Sequence, residues 1–270
     1  MNNFLLAVRS SFGFLSTIPV GITMEGLDEF FKRTYLHILV GIVLGLIIGA
    51  VAFGLQSFLS PQLSAVFIIV FVYYMTGLNH LDGIADMGDG LTAHGSREKK
   101  LKALKDMSLG IGGVAFTALA LLAFYAAIIS LLTGEFLLPE GVSTAAIIFL
   151  SLFVAEVSAM QCMLTIAAFG KSIHEGLGSI LVKSTTLPKY LTGFAMGIVA
   201  CTLAFWYIGL PLVGPIAFVA SIASAMVLIN ISNRHFGGVN GDIIGASNEV
   251  GRTIALVAIF LALKYGFGGV

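Results

Sequence analysis

Charged residues are scarce in this chain of 270 residues: Asp, Glu, Lys and Arg together make up 10% of it, against about 25% in soluble domains. Hydrophobic residues make up 58% of the sequence, and the mean hydropathy is +1.01. One water-soluble core could not bury so many apolar side chains. The composition therefore predicts an integral membrane protein.

Cysteine is also scarce, and Cys162 and Cys201 both lie inside apolar segments without a CxxC partner. The sequence therefore indicates neither a disulfide nor a thiolate metal site. It contains no Walker A, GxGxxG or GxSxG motif, and no histidine pair with HExxH spacing. These absences argue against a phosphate-binding loop, a nucleophile elbow and a zinc site.

Apolar runs of about 20 residues, the length that crosses a bilayer as a helix, dominate the chain. We predict an all-α fold, a polytopic membrane helical bundle that forms one domain over residues 1–270. Its seven predicted spans lie at about 35–59, 62–79, 109–133, 142–169, 190–209, 211–231 and 251–268.

Residues 4–20 are too short and too interrupted by Arg9 to span, so we expect an interfacial or re-entrant helix there. With the N-terminus inside, every Lys and Arg except Lys264 falls on an inner segment. Inner loops of membrane proteins carry most of the Lys and Arg. This bias predicts a multi-pass protein of the cell membrane with its N-terminus and its acidic loop, residues 80–108, in the cytoplasm.

Three aspartates, Asp82, Asp86 and Asp89, follow the second apolar run. Their i, i+4, i+7 spacing places them on one face of a helix. Carboxylates so close together repel one another unless a cation is bound, and Mg²⁺ prefers oxygen ligands. The alternative is a solvated helix start whose charges interact favourably with the helix dipole. We expect a metal site.

A second acidic motif, residues 237–252, lies on the same predicted side and contains Asp242 and Glu249, again seven residues apart. The alternative here is a glycine-rich turn with Asp242 as the cap of the last helix. That alternative leaves Glu249 without a role. We therefore expect Asp242 and Glu249 to complete the metal site.

Other polar residues surround these two motifs. The bases that follow the first motif either set the membrane topology or attract an anionic, phosphate-bearing substrate. Glu156 lies inside a predicted span, either as a functional carboxylate or as a protonated group hydrogen-bonded between helices. The candidate substrate-binding residues are His80, Lys105, Asp106, Asn240 and Arg234. Acidic clusters with bases nearby predict metal-assisted phosphoryl transfer.

Four motifs occur in order along the chain: HLDGIADMGDGL at 80–91, LKDMSLGIGG at 104–113, HEGLG at 174–178 and GGVNGDIIGASNE at 237–249. With the chain length and the number of spans, they resemble the cobalamin synthase family, the adenosylcobinamide-GDP ribazoletransferases. The chain departs from the family at Thr17, where many members carry Arg, and after Ser158, where many carry a basic residue. These departures affect any role of those two positions.

The resemblance implies a Mg²⁺-dependent enzyme that joins adenosylcobinamide-GDP to the 5′-hydroxyl of α-ribazole or α-ribazole 5′-phosphate and releases GMP. The expected partners are these substrates and the lipid bilayer, with no nucleic acid; a homo-oligomer is an open alternative. One carboxylate, Asp89 or Asp106, is the candidate acceptor of the hydroxyl proton. The predicted catalytic residues, which together with Glu249 would hold one or two Mg²⁺ ions, are Asp82, Asp86, Asp89 and Asp242.

Two other function classes stay open at this point. The run Asp86-x-x-Asp89-Gly90-x-x-Ala93 resembles the opening of the CDP-alcohol phosphotransferase signature, but His94 stands where that signature has Arg. An ion or metal transporter also uses acidic helices. Transporters place their sites near the bilayer midplane, whereas most carboxylates here lie at one predicted face.

Overall fold

The computed structural model describes residues 2–134, 136 and 138–266, and this part of the chain is helical with connecting loops and no β-strand. The prediction of an all-α fold is confirmed. The described residues form twelve helices: α1 Asn3–Leu15, α2 Met24–Phe31, α3 Leu36–Leu55, α4 Pro61–Thr76, α5 Asn79–Thr92, α6 Arg97–Leu104, α7 Ile111–Thr133, α8 Thr144–Phe169, α9 Leu177–Ser184, α10 Leu187–Trp206, α11 Val213–His235 and α12 Gly241–Lys264.

Six helices in the described part of the chain are each long and apolar enough to cross a bilayer: α3, α7, α8, α10, α11 and α12. Helices α4 and α5 meet the same criterion only as a pair, and the chain bends by 98° between them. A multi-pass membrane bundle with six or seven spans follows, because helices satisfy their own backbone hydrogen bonds in lipid.

The second and the last predicted spans have wrong boundaries. The second, predicted to end near residue 79, ends at Thr76, because Gly77 adopts a φ of 73° that glycine tolerates and that breaks the helix. The last, predicted to begin near residue 251, begins at Gly241. The second acidic motif therefore lies in the first turns of a spanning helix; the predicted end of that span, residues 267 and 268, lies outside the described residues.

Helix α8 forms the centre of the bundle, with most of its side chains buried against α3, α10, α11 and α12. Gly41, Gly45 and Gly49 follow one another at four-residue spacing along α3. A Cβ atom at any of the three would lie 2.8–2.9 Å from the backbone of α8. Small residues at this spacing let membrane helices approach closely, so α3 and α8 form a tight pair.

The end of the bundle where α7 and α12 begin and α8 ends also carries α5, α6 and α9, and we call it the polar end. Helix α5 packs against α7 and α12, and α9 packs against α8 and α12. Because α5 carries three aspartates within its 14 residues, we place it outside the membrane-spanning segments. At the N-terminus, α1 is the short helix expected within residues 4–20, and it packs against α2 and α3.

Candidate active site at the polar end

A cavity of about 450 Å³ opens at the polar end, and we call it the acidic cavity. It brings residues of α5, α6, α12 and two connecting segments to one place, although they are far apart in sequence. Its lining residues are Asp82, Asp86, Leu104, Lys105, Asp106, Met107, Leu109, His174 and Asp242.

Asp82 and Asp86 lie one turn apart on α5, so the helix predicted for this motif is confirmed. Partial burial of Asp86 and, to a smaller extent, the negative charges of Asp242, Asp82 and Asp89 together raise its pKa to about 7. Like charges and desolvation both favour the protonated form of a carboxyl group. A bound cation would therefore stabilise the ionised carboxylates of this site.

Asn240 sets the position of Asp242 at the start of α12. The Asn240 side-chain oxygen accepts a hydrogen bond of 3.1 Å from the Ile243 N–H and so caps the helix. Its Nδ2 group donates to Asp242 Oδ2 across 2.6 Å. The alternative in which Asp242 is the cap is wrong. Asn240 is the cap, and it engages only one of the two carboxylate oxygens of Asp242.

Asp89, predicted to share the site, caps a different helix. Its two carboxylate oxygens accept hydrogen bonds of 2.8 Å from the backbone N–H groups of Gly110 and Gly113, at the start of α7. Seven helical residues advance the chain by roughly 10 Å. Asp89 therefore lies on the same face of α5 as Asp82 but about two turns further along the helix. It does not line the acidic cavity, and its role as a metal ligand stays a prediction.

Glu249 is separated from Asp242 for the same reason, since it lies about two turns deeper along α12. Its carboxylate accepts hydrogen bonds from Arg252 Nη1 at 2.7 Å and from Tyr73 Oη at 2.8 Å. Arg252 also binds Glu156 through Nε at 2.6 Å. Glu156 is thus ion-paired with Arg252 across α8 and α12, and neither glutamate is placed to ligate a metal beside the aspartates.

Of the other predicted substrate-binding residues, some line the acidic cavity and some do not. Lys105 and Asp106 line the acidic cavity. The Ser108 N–H donates to Asp106 Oδ1 at 3.0 Å and lowers the pKa of that carboxyl group, which makes Asp106 a weak base. Arg234 is exposed in the last turn of α11 and lines neither this cavity nor its neighbour.

His80 lines a second cavity of about 260 Å³, which we call the apolar cavity. Asp242 lines both cavities, so they are neighbours. His174, which lines the acidic cavity, is a residue that the sequence reasoning on histidines missed. The signal for it was available, because His174 begins the HEGLG motif.

The donor chemistry of the acidic cavity fits Mg²⁺. In the described part of the chain, no three His, Cys, Asp or Glu side chains converge closely enough to hold a metal ion by themselves. Mg²⁺ is commonly bound by one or two carboxylates together with substrate phosphates. Asp82 and Asp86 provide such a pair, and the phosphate oxygens of a substrate would complete the shell.

The fold and the cavity define a class: a multi-pass helical membrane protein with a carboxylate-rich cavity at one end of its bundle, beside a lysine. The comparisons with known proteins then narrow this class. A family model described as cobalamin-5-phosphate synthase, CobS, matches residues 7–260. The chain belongs to this family.

Several curated relatives cover the whole chain. A protein of Methanococcoides burtonii named adenosylcobinamide-GDP ribazoletransferase is 54% identical over 100% of this chain and 98% of its own length. Proteins with the same name from Methanosarcina mazei and Methanosarcina barkeri are 51% and 48% identical over 100% of this chain and 96% of their own lengths. No solved structure matches. The chain is a transferase of this family.

Proposed function

We propose that this protein is an adenosylcobinamide-GDP ribazoletransferase that uses Mg²⁺. The observation that carries the proposal is the acidic cavity itself, where Asp82, Asp86 and Asp242 face Lys105 in a chain of the CobS family. Phosphoryl transfer depends mainly on positioning and on stabilisation of negative charge. A carboxylate cavity that attracts a divalent cation meets that need.

The proposed reaction forms one P–O bond and breaks another. A free ribose hydroxyl oxygen of the acceptor attacks the phosphorus that carries the cobinamide group; in α-ribazole 5′-phosphate the 5′-oxygen already carries a phosphate, so another ribose hydroxyl must attack. The bond from that phosphorus to the bridging oxygen of the diphosphate breaks, and GMP leaves with the electron pair. The hydroxyl proton must pass to a base.

Asp242 is the base that the geometry favours. Asn240 binds Asp242 Oδ2, which leaves Oδ1 to accept the hydroxyl proton. Asp89, one of the two candidates from the sequence, has both oxygens engaged by the start of α7. Asp106, the other, has a lowered pKa and accepts a proton poorly.

Asp82 and Asp86 would hold Mg²⁺, and Lys105 would bind the diphosphate beside them. When bound, the ion supplies positive charge next to the phosphate oxygens. The proposed orientation places the polar end in the cytoplasm and the chain in the cell membrane. The distribution of Lys and Arg supports this orientation, since all of them except Lys264 and Arg252, which is buried within the span α12, lie on segments assigned to the inner side.

The test uses the purified full chain in lipid nanodiscs with adenosylcobinamide-GDP, α-ribazole and Mg²⁺, and measures GMP and cobalamin by chromatography. We expect GMP release that requires both substrates and Mg²⁺. Asp86→Asn and Asp242→Asn should each lower the rate by about 100-fold or more. Asp28→Asn, an exposed carboxylate on α2, is the matched control and should retain the rate. No GMP release, or full activity in both cavity variants, would overturn the proposal.

The two other function classes gain no support. The family model that matches the chain is CobS, and His94 stands where the CDP-alcohol phosphotransferase signature has Arg. The deep carboxylates that a transporter would use, Glu156 and Glu249, are both bound to Arg252.

A further inference from the structure

The segment that joins α6 to α7 forms one wall of the acidic cavity and exposes large apolar side chains. We call residues 105–111 the wall segment. Its residues that line the cavity are Lys105, Asp106, Met107 and Leu109. Met107 is completely exposed, Leu109 is 65% exposed, and Ile111 is 83% exposed. Single apolar residues are common on protein surfaces, but three within five residues form a patch of the kind that marks an interaction surface.

The wall segment lies at the level of the membrane surface. Ile111 begins α7, which is long and apolar enough to span a bilayer. Met107 comes four residues earlier and so lies within roughly 14 Å of the start of the span. Leu109 also lines an apolar groove that continues along α7 past Val114 as far as Leu121. The exposed patch is therefore continuous with the surface that α7 presents to lipid.

Helix α6 presents positive charge beside this patch. Between residues 97 and 106 the chain has five bases and two acids. Leu104 is buried, and Lys100 Nζ donates a hydrogen bond of 2.9 Å to the carbonyl oxygen of Leu91, so one side of α6 is held against α5. Lys99 and Lys102 are exposed, and neither makes an ion pair within the described part of the chain. Their charges are available to an external anion.

An anionic membrane surface matches both features. Bases attract the phosphate groups of anionic lipids, and apolar side chains beside them insert at the boundary between headgroups and acyl chains. The cytoplasmic leaflet, where the proposed orientation places the polar end, carries the negative surface potential. A soluble acidic partner would match the charge of α6 but not the continuity of the patch with the lipid-facing surface of α7.

We propose that α6 and the wall segment dock on the anionic surface of the bilayer, and that docking holds Lys105 and Asp106 in place in the acidic cavity. Lys99 and Lys102 bind lipid phosphates, and Met107 inserts beside them. The consequence for catalysis rests on the proposed function, in which Lys105 binds the diphosphate of the donor substrate. The docking itself does not depend on that function.

The first test places a tryptophan in the wall segment. Trp206 is the only tryptophan of the chain, so Met107→Trp in a Trp206→Phe background carries a single reporter. In nanodiscs that contain phosphatidylglycerol, we expect blue-shifted emission and strong quenching by lipids brominated near the headgroup end of their acyl chains. Adding Lys99→Gln and Lys102→Gln should reduce the quenching. Emission typical of water, without quenching, would overturn the proposal.

The second test measures the KM for adenosylcobinamide-GDP at saturating Mg²⁺ in phosphatidylcholine nanodiscs with and without phosphatidylglycerol. We expect the anionic lipid to lower this KM about fivefold, the effect of one lysine at an anionic surface. Surface charge alone would act in the opposite direction, since it repels an anionic diphosphate. Soluble glycerol 3-phosphate should have no effect, because it offers no surface for Met107, and an equal effect of this compound would overturn the proposal.

The variants separate lipid docking from attraction of the substrate. Lys99→Gln combined with Lys102→Gln should abolish the lipid effect and leave the KM in phosphatidylcholine unchanged. Lys264→Gln, which removes a base near the other end of α12, is the matched control and should keep the lipid effect. Met107→Asn should weaken the lipid effect. Met24→Asn should not, because Met24 is equally an exposed methionine, on α2, but does not line the acidic cavity.

Two further results would overturn the docking. One is a KM for adenosylcobinamide-GDP that is the same with and without phosphatidylglycerol. The other is a rise in KM in the double lysine variant that is equal in both kinds of nanodisc, since the bases would then attract the substrate instead of the lipid. Absence of GMP release in every lipid overturns the proposed function instead, and the fluorescence of Met107→Trp still tests the docking in that case.

Discussion

Arg252 Nε donates a hydrogen bond of 2.6 Å to Glu156 Oε1, and both side chains are completely buried. The same guanidinium donates to Glu249, whose carboxylate also accepts from Tyr73. The network joins α4, α8 and α12 inside the bundle. Since α4 leads into α5 and α12 begins at the acidic cavity, the network fixes two helices that supply the carboxylates of the site.

Removal of Arg252 should destabilise the protein strongly. Arg252→Met leaves the carboxylates of Glu156 and Glu249 buried without their cation, and breaking a buried ion pair from one side costs about 3–5 kcal/mol. The expected result is a large decrease in the thermal unfolding midpoint of the detergent-solubilised protein. Lys264→Met, which removes an exposed cation near the other end of α12, should leave it nearly unchanged. Equal midpoints for the two variants would contradict the prediction.

Asp89 should matter more for stability than for chemistry. Asp89→Ala removes the acceptor for two N–H groups at the start of α7, and loss of a helix cap costs about 0.5–2 kcal/mol. We expect a lower unfolding midpoint and an activity loss well below that of Asp86→Ala. Asp89→Asn, which keeps one acceptor oxygen, should be intermediate. Loss of Mg²⁺ affinity in Asp89→Asn as large as in Asp86→Asn would show that Asp89 is a ligand after all.

The contrast between Asp86 and Asp89 shows how much of the site can be predicted from the sequence. Helical spacing correctly predicts that α5 exists and that its aspartates share a face. The spacing of residues in a helix shows which face of the helix they share. It does not show which neighbouring helix or loop each of them contacts. Two turns separate Asp82 from Asp89, and over that length the neighbour changes from the acidic cavity to the start of α7.

Glu249 illustrates a second limit. Its partners, Tyr73 and Arg252, are set by the packing of α4 against α12, and Tyr73 is 176 residues away in sequence. No local pattern encodes such a contact. His174 could be found only through its motif, because the loop between α8 and α9 brings it to the cavity by tertiary packing.

Mg²⁺ affinity should depend on pH through Asp86. Its pKa is raised to about 7, so the metal-free site holds a proton below that pH and releases it above. Because Mg²⁺ binds the ionised carboxylate, proton and metal compete. Affinity should therefore fall by about tenfold between pH 8 and pH 6, measured by isothermal titration calorimetry. Asp86→Asn should bind more weakly with a nearly flat pH profile, and a flat wild-type profile would contradict the prediction.

Gly83 should be essential for the register between α5 and α12. A Cβ atom at this position would overlap the carbonyl oxygen of Asp242 and lie 3.1 Å from the Ala246 backbone nitrogen. Neither backbone atom can move without shifting α12, so Gly83→Ala must push α5 away and separate Asp82 and Asp86 from Asp242.

A displacement of about 1 Å costs up to 100-fold in rate when catalytic groups must meet. We therefore expect Gly83→Ala to reduce kcat at least about tenfold, well beyond its effect on the unfolding midpoint. Gly54→Ala is the matched control, since Gly54 is also helical and a Cβ there meets nothing within 4 Å. Alanine is the better helix former by about 1 kcal/mol, so Gly54→Ala should keep full activity and equal or greater stability. Full activity in Gly83→Ala would mean that the close contact between α5 and α12 does not position the carboxylates.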